Sequence, residues 1–303
     1  MRVAVSGAGG RLGRALVAAL ADAPFSGPAG PIAWTRAELN LERPEAITSL
    51  LAADRVDVLI HAAAWTDVDA CALDPERALR LNASAVGTIA LATAALGMDL
   101  VLISTNEVFD GARDDSRGYR IDDETAPINA YGASKLAGER AALDAYAAAG
   151  RSSLGIVRSA WLYGPPGNDF PDRIVRAAER AKSTGRPLRL VADEVGTPTR
   201  TGDLAEAIVE LIAEGALAGI HHLVNGGAVS RAGWARELLD RRRIEVEIEE
   251  VPGDTWERPS RPPRWGVLEP TPLPSGIPMR PWLEALADDL AERRSLPSGV
   301  AAS

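Results

Sequence analysis

Tyr131 and Lys135 are four positions apart in Tyr131-Gly132-Ala133-Ser134-Lys135. In a helix this spacing sets both side chains on one face. An ammonium beside a phenol favours the phenolate and eases proton transfer. The pair therefore suits reduction of a ketone, with hydride delivered to carbon by a nicotinamide and a proton delivered to oxygen by Tyr131. Lys135 would also hold the nicotinamide ribose. A third group comes from Ile103-Ser104-Thr105-Asn106-Glu107, because a hydroxyl at the carboxyl end of a parallel strand points into the usual ligand crevice. Thr105 is the candidate to hold the substrate carbonyl oxygen, whereas Ser104 reads as a residue satisfying backbone groups. Asn129 and Ser134 read as caps or solvent-facing polar groups.

Such chemistry needs a nucleotide cradle, and the chain opens with one: Val3-Ala4-Val5-Ser6-Gly7-Ala8-Gly9-Gly10-Arg11-Leu12-Gly13. Glycines at 7, 10 and 13 between a strand and a helix have the context that gives the pattern meaning. Gly7 permits the tight turn, Gly10 the close approach of a diphosphate, and Gly13 the packing of helix on strand. The amides at the helix start would bind phosphate. A NAD-selective site carries an acid at the end of the second strand, but Ala33-Trp34-Thr35-Arg36 has none. Thr35 and Arg36 are the expected ligands of a 2′-phosphate, which favours NADPH. The alternative leaves Arg36 in solvent and has Glu38 bind the ribose, so NADH is the second cofactor considered.

These groups must be positioned by alternating elements. Strands are expected over 1–6, 31–35, 56–61, 100–104, 154–158 and 219–225. Helices are expected over 12–20, 44–53, 75–96, 130–149, 170–184, 201–214 and 230–241, the last capped by Ser230. The alternation predicts an α/β fold: a Rossmann-type parallel sheet with helices on both faces, and a smaller, discontinuous substrate-binding domain. Residues 1–160 would form most of the nucleotide-binding domain and 161–295 mainly the substrate domain, with segments returning to the sheet. The proline-rich stretch 251–281 would run over the surface or around a cleft, and 296–303 would be a flexible tail.

Composition narrows the function classes. A net charge of −9 argues against nucleic acid, which calls for a concentrated basic surface. The single cysteine, Cys71, excludes an intrachain disulfide and suits the cytoplasm. No run of 18 apolar residues suggests a membrane span. His61 reads as a hydrogen-bonded crevice or core residue, and His221 and His222 have no neighbours at zinc spacing. No metal ligand set is assigned, since a Mg2+ site would require acids brought together in three dimensions.

Taken together, these motifs resemble the extended short-chain dehydrogenase/reductase family, and within it the dTDP-4-dehydrorhamnose reductases. The likeness runs over about residues 1–270. It includes His61-Ala62-Ala63-Ala64-Trp65-Thr66-Asp67-Val68-Asp69, Leu81-Asn82-Ala83, Ser104 to Gly111, and Pro127 to Glu139 around Tyr131. It continues in Arg158 to Gly164, Asn168-Asp169-Phe170, Asp193 to Thr199, and Arg258-Pro259. By that resemblance Thr105, Tyr131 and Lys135 form the catalytic set. It also implies that Gly7, Gly9, Gly10, Arg11, Leu12, Gly13, Ala62, Ala63 and Ala64 line the cofactor. Val68, Asn106, Glu107 and Trp161 would contact substrate, with Trp161 against the deoxysugar. Two departures stand out: Asn106-Glu107 replaces the family's Asp-Tyr pair, and Glu194 stands where a glutamine is usual.

The resulting expectation is NADPH-dependent reduction of the C4 ketone of a nucleotide-linked 6-deoxyhexose, first of all dTDP-4-dehydro-L-rhamnose, by a homodimer. The alternatives are another 4-keto-deoxysugar reductase, a sugar-nucleotide epimerase or dehydratase, and a non-catalytic reductase-like regulatory subunit of the kind that binds methionine adenosyltransferase.

Overall fold

The computed structural model describes residues 1–150 and 152–295; the tail expected at 296–303 lies outside them. Six short apolar segments form one parallel sheet: β1 (Val3–Ser6), β2 (Ile32–Trp34), β3 (Val58–His61), β4 (Asp99–Thr105), β5 (Leu154–Ser159) and β6 (Gly219–His222). Their order across the sheet is β2-β1-β3-β4-β5-β6. The chain leaves β1 for one neighbour and then returns past it to β3, so the topological switch lies between β1 and β3. Ligands of such sheets sit at that crevice, outside the carboxyl ends of the strands.

Strand alternation divides the core. Val3, Val5, Val58, Ile60, Val101, Ile103 and Val157 face helices α1 (Arg11–Ala21) and Thr201–Ala213. Ala4, Leu59, Leu100, Leu102 and Ile156 face the other side. There they meet α2 (Ile47–Asp54) and the long helix α6 (Ala130–Ala149). Each fully buried leucine or isoleucine stabilises this arrangement by about 2 kcal/mol.

The expected helix 75–96 is interrupted. It consists of α4 (Pro75–Leu79), a π-helical segment Arg80–Ser84, and α5 (Ala85–Ala95), with the short α3 (Val68–Leu73) before it. The π turn sends Asn82 inward, where its side chain accepts from Trp65 N–H (2.8 Å) and donates to Trp65 O (2.9 Å) and Ser134 Oγ (3.1 Å). Apolar periodicity alone gives no sign of this turn. The stretch Pro75–Ala95 is long and apolar enough to cross a membrane, but over half of its most apolar window is buried in the protein.

After β5 the chain builds a second apolar cluster around Trp234, Tyr163, Ile174, Leu238 and Leu286. It comes from α7 (Phe170–Thr184), α9 (Arg231–Arg241) and α10 (Trp282–Ser295), with α8 (Thr201–Ala213) going back to α1 and β6 to β5. The helix at Trp282–Ser295 is not among the elements expected from the sequence. It is largely polar, and its register becomes clear only where Trp282, Leu286 and Leu290 enter the shared core. The proline-rich 251–281 stretch is mostly irregular, with bridges from Trp265 to Val195 and from Leu268 to Tyr119.

Candidate active site

The glycine turn sits where β1 meets β3. Gly7 has φ +70°, and a Cβ there would lie 2.8 Å from Ala63 N. At Gly13 a Cβ would overlap the Gly7 carbonyl, so α1 rests directly on the turn. Gly10 is the N-cap of α1 and supplies no side-chain cap, and at Gly9 a Cβ would meet nothing within 4 Å. An open glycine edge leading into uncapped helix amides fits the diphosphate of a nicotinamide cofactor. Arg11 lines the same cavity, but its guanidinium reaches the carbonyls of Gly164 and Gly167 and the carboxylate of Asp169. Its side chain therefore holds the 164–169 loop against the cradle.

The catalytic candidates come from β4 and α6. Asn129 caps α6 by accepting from Gly132 N–H at 2.8 Å. A Cβ on Gly132 would collide with the Glu107 carbonyl, so glycine between Tyr131 and Lys135 lets the helix start press on the loop after β4. Thr105, Tyr131 and Lys135 consequently line one cavity of about 780 Å³ together with Gly7, Gly9 and Gly10. Lys135 is buried and donates from Nζ to Ile103 O at 2.7 Å. Burial pushes its pKa down to about 8, against the pull of Glu139. Beneath it Glu139 pairs with Arg158 at 2.7 Å and accepts from Ser104 Oγ at 2.5 Å, both partners being buried. Ser104 is thus engaged inside the protein, though by the Glu139 carboxylate and not by the backbone groups expected.

The surroundings of Tyr131 hold its phenol protonated. Burial, then the charge of Glu107, push its pKa up, while a hydrogen bond with Thr105 pulls it down. The Lys135 ammonium donates to Ile103 O. In this geometry the phenol stays firmly protonated, as a proton donor requires, and Thr105 is the neighbour that eases its ionisation.

Asn106 and Glu107 both reach the cavity, though neither is a free polar group. Asn106 donates to Gly266 O at 3.1 Å and receives the Thr105 hydroxyl at 3.3 Å. Glu107 accepts from Asn129 Nδ2 at 2.7 Å. Desolvation raises its pKa despite Asn129, Arg231 and Arg258. Val68, Ala62, Ala63, Ala64 and Leu12 are also in the lining. So is Trp161, which has φ +46° and lies so close to Gly196 that a Cβ there would touch the ring at 2.6 Å.

Thr35 departs from expectation. It is outside the cavity lining, and its N–H and hydroxyl both donate to Glu38 Oε2, at 2.7 and 2.6 Å. An acid is therefore held at the end of β2 after all, brought back by a turn three residues long. Arg36 does line the cavity and is exposed.

Several lining residues escape sequence reasoning. Arg77 lies 4.8 Å over the Trp65 ring while pairing with Glu42 at 3.0 Å. Arg173 and Arg231 enter from α7 and α9. The one signal for Arg231 is a cation beginning a helix, where the dipole opposes it. Among the described residues, no three His, Cys, Asp or Glu side chains converge as metal ligands.

Comparison with known proteins identifies the family. The RmlD substrate binding domain family matches residues 1–295. The chain is 37% identical over 294 residues to a dTDP-4-dehydrorhamnose reductase of Mycolicibacterium smegmatis, covering 96% of this chain and 85% of that protein. The crystal structure of dTDP-4-dehydrorhamnose reductase from Bacillus anthracis in complex with NADP superposes with a TM-score of 0.85 at 30% identity, over 96% of this chain and 99% of that one. The crystal structure of a dTDP-4-dehydrorhamnose reductase from Clostridium acetobutylicum gives 0.87 at 30% identity, over 97% and 100%.

Proposed function

Because the chain belongs to the RmlD substrate binding domain family of NAD(P)H-dependent oxidoreductases, we propose that it reduces the C4 ketone of a nucleotide-linked 6-deoxyhexose, dTDP-4-dehydro-L-rhamnose being the first substrate to test. The observation that carries this reading is the meeting of Thr105, Tyr131 and Lys135 with the glycine cradle in one cavity. When bound, NADPH supplies the hydride. Thr105 holds the ketone oxygen, and Tyr131, kept protonated by burial and by Glu107, donates its proton to that oxygen. Thr105 then stabilises the phenolate left behind. Lys135 positions the nicotinamide ribose, and Trp161 forms the apolar wall of the sugar subsite.

On this reading residues 1–160 supply most of the cofactor site and 161–295 mainly the substrate site, and the working unit is a homodimer. Arg36 makes NADPH the preferred cofactor. The reading is tested with purified protein and a panel of nucleotide-linked 4-keto sugars, following cofactor oxidation and product structure together. Cofactor oxidation coupled to formation of a 4-hydroxy sugar is expected. Turnover of sugar without consumption of added NADPH would instead indicate an epimerase or dehydratase.

A further inference from the structure

Two arginines of the cavity wall take no part in the chemistry just described. Arg173 is on α7, exposed, and has no ion pair among the described residues. Arg231 begins α9, against the helix dipole. Its guanidinium lies over Trp161, 3.5 Å from the ring centroid, and 5.4 Å from the ring of Phe170, which is three residues before Arg173. Its ion-pair partner, Glu194, is a loose 3.6 Å away, and the side chain is 26% exposed and lines the cavity. A guanidinium has five donors in a fixed fork, so one loose carboxylate leaves most of them for a ligand.

The two cations also oppose one another. Burial pushes the Arg231 pKa down to about 10, and the charge of Arg173 adds to that against Glu194 and Glu107. Like charges facing one cavity are unfavourable in the free protein and become favourable around a dianion. The cofactor diphosphate already has the glycine turn and the α1 amides, and Arg11, the cation at that turn, is occupied by Gly164, Gly167 and Asp169. We propose that Arg173 and Arg231 clamp the diphosphate of the substrate's nucleoside diphosphate, with Arg231 stacked between that group and the Trp161 wall. This rests on the reading that the substrate is a nucleotide-linked sugar.

The test is calorimetric titration of the full chain with thymidine diphosphate, with thymidine, and separately with NADP+, for the unmodified protein, Arg173→Gln and Arg231→Gln. Thymidine diphosphate should bind about 10- to 100-fold more weakly to each variant, the range for losing a hydrogen bond to a charged group. Thymidine and NADP+ affinities should stay within about twofold. Arg173 is exposed, so Arg173→Gln, checked by its thermal melt, remains informative even if Arg231→Gln folds poorly. Unchanged thymidine diphosphate affinity in folded Arg173→Gln overturns the clamp. So does an equal loss of NADP+ affinity, or failure of the unmodified protein to bind thymidine diphosphate. If the unmodified protein binds thymidine diphosphate through both arginines yet reduces no nucleotide-linked 4-keto sugar, the reductase reading fails and the clamp stands.

Discussion

Asn129 ties Glu107 to the helix that carries Tyr131: its side-chain oxygen accepts from Gly132 N–H at 2.8 Å while its amide donates to Glu107 Oε2 at 2.7 Å. One residue therefore caps α6 and neutralises part of the cost of a buried carboxyl beside the proton donor. Asn129→Ala should lose about 0.5–2 kcal/mol from the cap alone. Because the Glu107 pKa is pulled down by Asn129, it should rise further in the variant. Urea unfolding at neutral pH measures the first effect. A loss well below that range would show that the cap is dispensable.

Tyr131→Phe keeps the ring and removes the proton. Single-turnover reduction under saturating NADPH should slow by about 100- to 10,000-fold, with cofactor affinity and melting temperature nearly unchanged. A folded variant that retains its hydride-transfer rate would exclude Tyr131 as the donor. Lys135→Met should differ, weakening cofactor binding as well as rate, because Lys135 is the residue proposed to position the nicotinamide ribose.

Arg36 and Glu38 set opposing demands at the adenosine end. Arg36 lines the cavity, and the Glu38 carboxylate is fixed by two hydrogen bonds from Thr35. Direct titration should show Arg36→Ala weakening NADPH more than NADH, by about 1–3 kcal/mol for a direct charge-assisted contact. Glu38→Gln should move the ratio the other way, since a fixed carboxylate repels a 2′-phosphate. Equal effects of Arg36→Ala on both cofactors would remove Arg36 from the selectivity.

Two histidines should make the fold acid-sensitive. Burial depresses His61 to about 3, helped by Lys135, and depresses His222 to about 4, helped by Arg158. Both stay neutral in the native state at pH values where the unfolded chain, with a histidine pKa near ~6.5, takes up protons. Stability present above pH ~6.5 is therefore lost as pH falls towards those values, by about 1.5 kcal/mol per histidine between pH ~6.5 and ~5. Glu107 and Asp289, raised by burial, act in the opposite sense. Comparison of the protein with His222→Gln isolates one histidine: the difference in unfolding free energy should shrink as pH is lowered through that window. A difference independent of pH would contradict the buried neutral state.

Local signals in the sequence determined the glycine turn, the order of strands and helices, and the spacing of Tyr131 and Lys135. Those signals act over a few residues: a turn that only glycine tolerates, a four-residue helical repeat, and alternation on each strand. Helix α6 over Ala130–Ala149 and α7 over Phe170–Thr184 are legible to the residue for that reason. Only the tertiary structure decided what each polar group faces. By its place after β2, Thr35 reads as a phosphate ligand, but the chain turns and gives its donors to Glu38. Spacing puts Lys135 on the Tyr131 face of α6, but that its ammonium donates to Ile103 O is decided by where β4 packs. Arg173 and Arg231, far apart in sequence, share a wall because α7 and α9 pack around Trp234. Electrostatic and hydrogen-bond partners are chosen by distance in space and by burial, and in this protein both are set by contacts far apart along the chain.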